Sequence, residues 1–229
     1  MKTIGLLGGL SWESSAHYYA IANERVRDRL GGLHSARCVM YSFDFDEIAA
    51  LQHAGRWDDS AARMVEAARA LERAGADFVV ICSNTMHRMA DEVRAGIGVP
   101  LLHIADPTAA ALKAAGVTRV GLLATRFTME QEFYVGRLRG QGLDVLVPDA
   151  ADRTVVHTVI YDELVRGVVR DESRQAYRDV IGRLVDRGAA GVVLGCTEID
   201  MLIGPPDSPV PLFDTTRLHA EAAVELALV

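Results

Sequence analysis

"ERAGADFVVIC" (Glu72–Cys82) and "DRGAAGVVLGC" (Asp186–Cys196) align without a gap, 114 positions apart. Each reads as the polar end of a helix, a glycine break, a short apolar run and a terminal cysteine. Two further pairs flank this match. "IGLLGG" from Ile4 resembles "VGLLAT" from Val120, and "VPLLHIADPT" from Val99 resembles "VPLFDTT" from Val210 after a short deletion. The three matches keep their order at offsets of 116, 114 and 111. Ordered matches at nearly one spacing imply an internal repeat, so the chain is expected to fold as two similar units.

The rest of the pattern fixes the kind of unit. Short apolar runs at 3–9, 38–45, 77–82 and 99–104 read as strands. They alternate with helical periodicity at 14–30, 59–74 and 85–95. The second half repeats this, with strands at 119–125, 144–149, 191–196 and 210–216 and helices at 129–140, 161–169, 172–187 and 217–228. Asp106, followed by Pro107, and Asp214 are expected to cap helices. Alternation of this kind predicts α/β architecture with parallel sheets. The expected division is 1–105 plus 212–229 for one α/β domain and 106–211 for the other, pseudo-symmetric, with the active site in the cleft between them.

Composition narrows the function. Half of the 229 residues are apolar and the net charge is −7. An acidic chain of this kind is a poor partner for nucleic acid or an anionic membrane. No apolar run approaches membrane-span length. The opening "MKTIGLLGGLSWES" reads as a strand and its loop rather than a signal peptide, so a cytoplasmic protein is expected. Three cysteines without a CxxC pair and scattered histidines argue against a disulfide framework and a metal site. "GLLGGLS" lacks the pattern of a dinucleotide or phosphate loop, and no cofactor is expected.

The repeat gives the cysteines their interest. In parallel sheets, ligands bind beyond the carboxyl ends of the strands. Cys82 and Cys196 both lie at such ends. Hydroxyl, amide or carboxylate residues follow each: Ser83, Asn84 and Thr85 after the first, Thr197 and Glu198 after the second. Such groups, with the N–H groups of a helix start, can hold a substrate carboxylate. A helix start is also expected to lower the thiol pKa. Thiols on opposite faces of a carbon could remove a proton from one side and deliver one to the other. A cysteine closing a buried strand is commonly a small hydrophobe, and Cys38, without a repeat partner, is read that way. A thiol redox protein is a further alternative, disfavoured because the pair must leave room for a substrate. A non-catalytic amino-acid-binding protein would need no thiols.

"GLLGGLSWES" at Gly5, "CSNTMH" at Cys82, "YDEL" at Tyr161 and "GCTEI" at Gly195 together resemble the aspartate/glutamate/hydantoin racemases, over nearly the whole chain. These enzymes need no pyridoxal phosphate. The resemblance implies that Cys82 and Cys196 are the catalytic acid and base of an amino-acid racemase. It implies substrate contacts from Gly9, Leu10, Ser11, Gln52, Ser83, Asn84, Thr85, Thr125, Thr197 and Glu198. His87, Tyr161 and Glu163 are further candidates, His103 and His157 are read as structural, and a homodimer is expected. Typical aspartate racemases carry a Pro-Asp-Arg-Thr stretch after the second strand, whose Arg meets the substrate's side chain. This chain reads "SFDFDEIAALQHAGRW" there, with acidic Asp44, Asp46 and Glu47, which resembles the broad-specificity branch. Maleate isomerase and hydantoin racemase use the same scaffold and are the enzymatic alternatives.

Overall fold

The computed structural model describes all 229 residues. It divides into two compact units, Met1–Ile104 with His219–Val229, and Ala105–Leu218. The first unit runs β1 (Ile4–Gly8), α1 (Trp12–Leu30), β2 (Cys38–Ser42), α2 (Phe45–His53), α3 (Trp57–Arg73), β3 (Phe78–Ile81), a 3₁₀ turn (Thr85–Met89), α4 (Ala90–Gly96) and β4 (Leu101–Leu102). Its four strands pair in parallel in the order β2-β1-β3-β4.

The second unit repeats this plan: α5 (Ala105–Ala114), β5 (Arg119–Ala124), α6 (Arg126–Glu130), α7 (Glu132–Gly140), β6 (Asp144–Leu146), α8 (Ala150–Asp162), α9 (Asp171–Asp186), β7 (Val192–Gly195) and β8 (Leu212–Asp214). Its strands are parallel in the order β6-β5-β7-β8. The helix α10 (Thr215–Leu228) follows β8, and its residues from His219 onward belong to the first unit. The expected α/β class with two like parallel sheets is what the chain adopts. No helix is long and apolar enough to cross a membrane.

Period-two alternation sorts the first sheet's side chains into two cores. Ile4, Leu6, Phe78, Val80 and Cys82 face one side with Tyr18, Ile21 and Val26 of α1 and Ala220 to Ala227 of α10. Leu7, Val79 and Ile81 face the other with Met64, Ala67 and Leu71 of α3. Each buried Leu, Ile, Val or Phe contributes about 1.5–3 kcal/mol, so the strand carrying Cys82 is anchored from both faces.

Several local expectations need correction. The strand from Cys38 stops at Ser42, and Phe45 opens α2, with the Asp44 carboxylate accepting from the Asp46 N–H. Asp44, Asp46 and Glu47 therefore lie at a helix start, where negative charge is favoured. Glu47 pairs with Arg63 and Arg56 with Asp59, both exposed. Helix α8 occupies the stretch before Tyr161, to which the sequence pattern assigned no element. It is capped by Asp149 and buries Val156, Val159 and Ile160 at helical spacing. Its β-branched residues disguise it, since they favour strands. Asp106 sits within the first turn of α5 rather than capping it, and its carboxylate accepts from Arg137 and Gln141. Asp214 does cap α10, accepting from the N–H of Thr216 at 2.8 Å.

Candidate active site

In the first unit, Cys82 is the residue after β3, and its N–H donates to Leu7 O of the neighbouring β1 at 2.9 Å. Beyond β1 the chain turns at Gly9, whose φ is +71°. A Cβ there would lie 2.2 Å from Phe43 O and 2.3 Å from Phe43 N, so only glycine fits. Ser11 then caps α1, accepting from the Ser14 N–H, and Ser15 Oγ accepts from the Gly9 N–H at 2.7 Å. Ser14 was not singled out by the sequence. Its Oγ donates to the Cys82 carbonyl at 3.0 Å, a contact that only the fold creates.

The candidate residues around Cys82 are buried, apart from a partly exposed Ser83. Gln52 of α2 is 3% exposed and its Nε2 donates to Met86 Sδ at 3.0 Å, which ties α2 to the turn after Cys82. Leu10 packs its side chain into the core on the α3 face, leaving its backbone for any wall role. Asn84 and Thr85 begin the 3₁₀ turn and are buried. His87, within that turn, is bonded to Ser83 and Ile104.

In the second unit, Ala124 of β5 pairs with Gly195 of β7, so Thr125 and Cys196 follow adjacent strand ends. Thr125 caps α6 by accepting from the Thr128 N–H. The Cys196 thiol donates to Glu198 Oε2 at 3.0 Å, and Thr197 Oγ1 donates to the same oxygen at 2.8 Å. Glu198 is 3% exposed, whereas Cys196 keeps a partly exposed surface. Tyr161, on α8, stands near both: its hydroxyl pKa is raised by burial first, then by the Cys196 and Glu198 charges. Its ring lies 4.8 Å from that of His157. Glu163 serves elsewhere, accepting from Ser173 Oγ at 2.7 Å and pairing with Arg170.

The lowered thiol pKa expected from a helix start is not found. Burial pushes Cys82 far up, with Cys38 adding to it. Burial also pushes Cys196 up, and the Glu198 carboxylate raises it further by repelling a thiolate. Desolvation of the charged form outweighs the few N–H groups of a single 3₁₀ turn. At neutral pH both thiols are therefore protonated in the free protein.

A family model described as Asp/Glu/Hydantoin racemase matches residues 7–223. The broad specificity amino-acid racemase RacX of Bacillus subtilis is 23% identical over 174 residues, 75% of this chain and 74% of that protein. Among solved structures, a candidate Asp/Glu racemase from Yersinia pestis is 50% identical over the whole of both chains, with a TM-score of 0.93. An aspartate racemase homologue from Pyrococcus horikoshii is 33% identical, again over the whole of both chains, with a TM-score of 0.87.

Proposed function

Because the chain belongs to the Asp/Glu/hydantoin racemase family, we propose that it racemises amino acids without pyridoxal phosphate, with Cys82 and Cys196 as acid and base on opposite faces of one α-carbon. The observation that carries this reading is the equivalence of the two thiols. Each is the first residue beyond the third strand of its own four-stranded parallel sheet, beside the end of the first strand. A structural cysteine would have no reason to recur at this position and to be followed by hydroxyl, amide and carboxylate groups both times.

The raised thiol pKa values shape the mechanism. The thiol that abstracts must first lose its proton. For Cys196 an acceptor is in place in Glu198 Oε2, 3.0 Å away. For Cys82 the proton leaves to solvent as the substrate enters, and the substrate's ammonium group brings the positive charge that favours the thiolate. The other cysteine, protonated at rest, is ready to deliver its proton to the opposite face. As the product leaves, the thiol that delivered its proton regains one from solvent and the acceptor sheds the one it took, so both thiols are protonated again. Ser83, Asn84, Thr85 and Thr197 are suited to hold the substrate's carboxylate and ammonium.

The preferred substrate belongs to the proposal as well. The stretch 42–57 lacks the Pro-Asp-Arg-Thr signature, and Arg56 is paired with Asp59 at 2.7 Å. RacX, named for broad specificity, is among the relatives. We therefore expect turnover of more than one small polar or acidic amino acid. Cytoplasmic residence, an expectation from the sequence, and a homodimer, implied by the resemblance, complete the proposal.

The test is incubation with each proteinogenic L-amino acid, following loss of optical rotation, for the wild type and for Cys82→Ser and Cys196→Ser. Each single variant should lose net racemisation, because a serine hydroxyl is too weak an acid to supply the base at neutral pH. In heavy water each should slowly label a different enantiomer at the α-carbon. Near-normal inversion by either variant would overturn the two-thiol scheme.

A further inference from the structure

Three histidines lie together in the first unit behind the Cys82 turn: His87, His103 and His219 are 2%, 3% and 0% exposed. The His87 ring is 4.5 Å from that of His103 and 5.6 Å from that of His219. Neither the exposure of these rings nor their spacing in sequence connects them to the thiol. Their hydrogen bonds do.

The partners of His87 fix its protonation. Nδ1 is 2.7 Å from the Ser83 carbonyl oxygen, which can only accept, so Nδ1 carries the hydrogen. Nε2 is 3.1 Å from the Ile104 backbone N, which can only donate, so Nε2 is bare. His87 is thus a neutral imidazole in its Nδ1–H form. His219 carries a hydrogen on Nε2, which donates to Leu102 O at 3.0 Å, and its Nδ1 shares a hydrogen bond with the Tyr18 hydroxyl at 2.8 Å. The two rings grip the chain at the end of β4, at Leu102, and just beyond it, at Ile104. Tyr18 belongs to α1, the helix whose Ser14 holds the Cys82 carbonyl. Consecutive carbonyls, Cys82 O and Ser83 O, are therefore held from two different elements.

We propose that His87 is a positioning residue for Cys82: its neutral ring bridges Ser83 to Ile104 and thereby fixes the peptide that aims the thiol and presents Asn84. The proposal rests on the racemase reading above. A protonated ring could not fill this place, because it would set a donor against the Ile104 N–H and bury a cation beside two other imidazoles. The role needs one donor and one acceptor at a fixed span. His87 acts through Ser83 rather than on substrate.

The distinguishing experiment compares His87→Ala with His87→Asn. The asparagine amide can restore a donor near the Nδ1 position but cannot reach Ile104. Misplacing a reacting group by about 1 Å costs on the order of 10²-fold, so His87→Ala should lower kcat by about that factor with KM little changed. His87→Asn should recover roughly tenfold of it, since it restores the bond that matters for the thiol. Isotope effects provide the sharper reading. Slowing proton transfer at Cys82 alone should raise the α-deuterium effect in the direction where Cys82 abstracts. In the reverse direction it should lower the α-deuterium effect and raise the solvent effect. A fold-wide defect lowers the amount of active enzyme and moves neither. Isotope effects that are unchanged, or that shift equally in both directions, overturn the proposal, as does an asparagine variant no better than alanine. Two measurements need no substrate. Nitrogen NMR of the wild type should find His87 neutral with hydrogen on Nδ1, and His87→Ala should speed hydrogen exchange at the Ile104 amide. A charged or Nε2–H ring, or unaltered exchange, removes the clamp. A wild type that racemises no amino acid removes the functional reading itself, whereas an active wild type with symmetric isotope effects removes only the role of His87.

Discussion

Replacing Gly9 by alanine gives the most direct check on how the first unit holds its thiol. At φ +71° the new side chain pays for a left-handed backbone, about 1 kcal/mol for a residue without β-branching. Its Cβ would also lie 2.2 Å from Phe43 O and 2.3 Å from Phe43 N, both main-chain atoms that cannot swing aside. Relieving the overlap pushes Phe43 back by about 1 Å, with overpacking costs of about 1–3 kcal/mol. That movement breaks the 3.1 Å bond from Phe43 N–H to Gly8 O, worth about 1 kcal/mol. The total is roughly 4 kcal/mol, a large part of a domain's usual margin. At about 4 °C per kcal/mol for a unit of this size, Tm should fall by roughly 15 °C. Gly55 provides the control: its φ is +67°, yet an added Cβ meets nothing within 4 Å. Gly55→Ala should therefore cost only the backbone term, about 1 kcal/mol and about 4 °C. Scanning calorimetry of both variants decides the matter. Equal losses would show that crowding at Phe43 contributes nothing, and that the β1–α1 turn is less tightly set than the geometry implies.

Glu198→Gln removes both the proton acceptor of Cys196 and the charge that raises its thiol. The Cys196 thiol should titrate lower, read from thiolate absorbance, while kcat falls on the order of 10²-fold or more; unchanged turnover would exclude Glu198 as the acceptor. Asp207 accepts from Gly204 N–H and Arg178, and these hold its pKa below the ordinary 3.8. Its stabilisation is therefore present above that range and is lost as pH falls through the lowered value, so Asp207→Asn should flatten the acid limb of urea-denaturation stability, and an unaltered limb would contradict this. Racemisation should survive EDTA and show no pyridoxal absorbance, and activity that a chelator abolishes and metal restores would refute the two-thiol mechanism. Alkylation of Cys82 and Cys196 should be slow at pH 7, accelerate above pH 9 as their raised pKa values require, and be blocked by substrate; rapid labelling at neutral pH would count against the buried thiols.

The sheets were legible because buried parallel strands are runs of apolar residues, and the repeat shows those runs twice. The helices were legible where alanine and leucine dominate, as in α3, and hidden where other signals overlay them. Val155, Val156, Thr158, Val159 and Ile160 look like a strand, yet they form α8 because Asp149 caps its start and one face is buried. "FDF" at 43–45 continues the alternation of β2, but Asp44 ends the strand by capping α2. The positions of the cysteines at strand ends could be read from sequence; their ionisation could not. The N–H groups of a helix start can be read from sequence, whereas the desolvation that outweighs them arises only in the packed structure. The bond from Ser14 to Cys82 O spans 68 positions and has no local signature. His87 was visible as a residue near the motif, but its protonation follows only from Ile104 and Ser83 meeting its two nitrogens.

The burial that keeps both thiols protonated bears on how such a protein ages. Peroxide oxidises thiolates far more readily than thiols, and sulfinic and sulfonic acids are effectively irreversible end points. A nucleophile that stood ionised at rest would be exposed to that damage throughout the life of the molecule. With Cys82 at 0% exposure and both thiols pushed up, the vulnerable form arises only when a proton is taken away. Oxidative wear should therefore follow the number of turnovers rather than the hours spent in air.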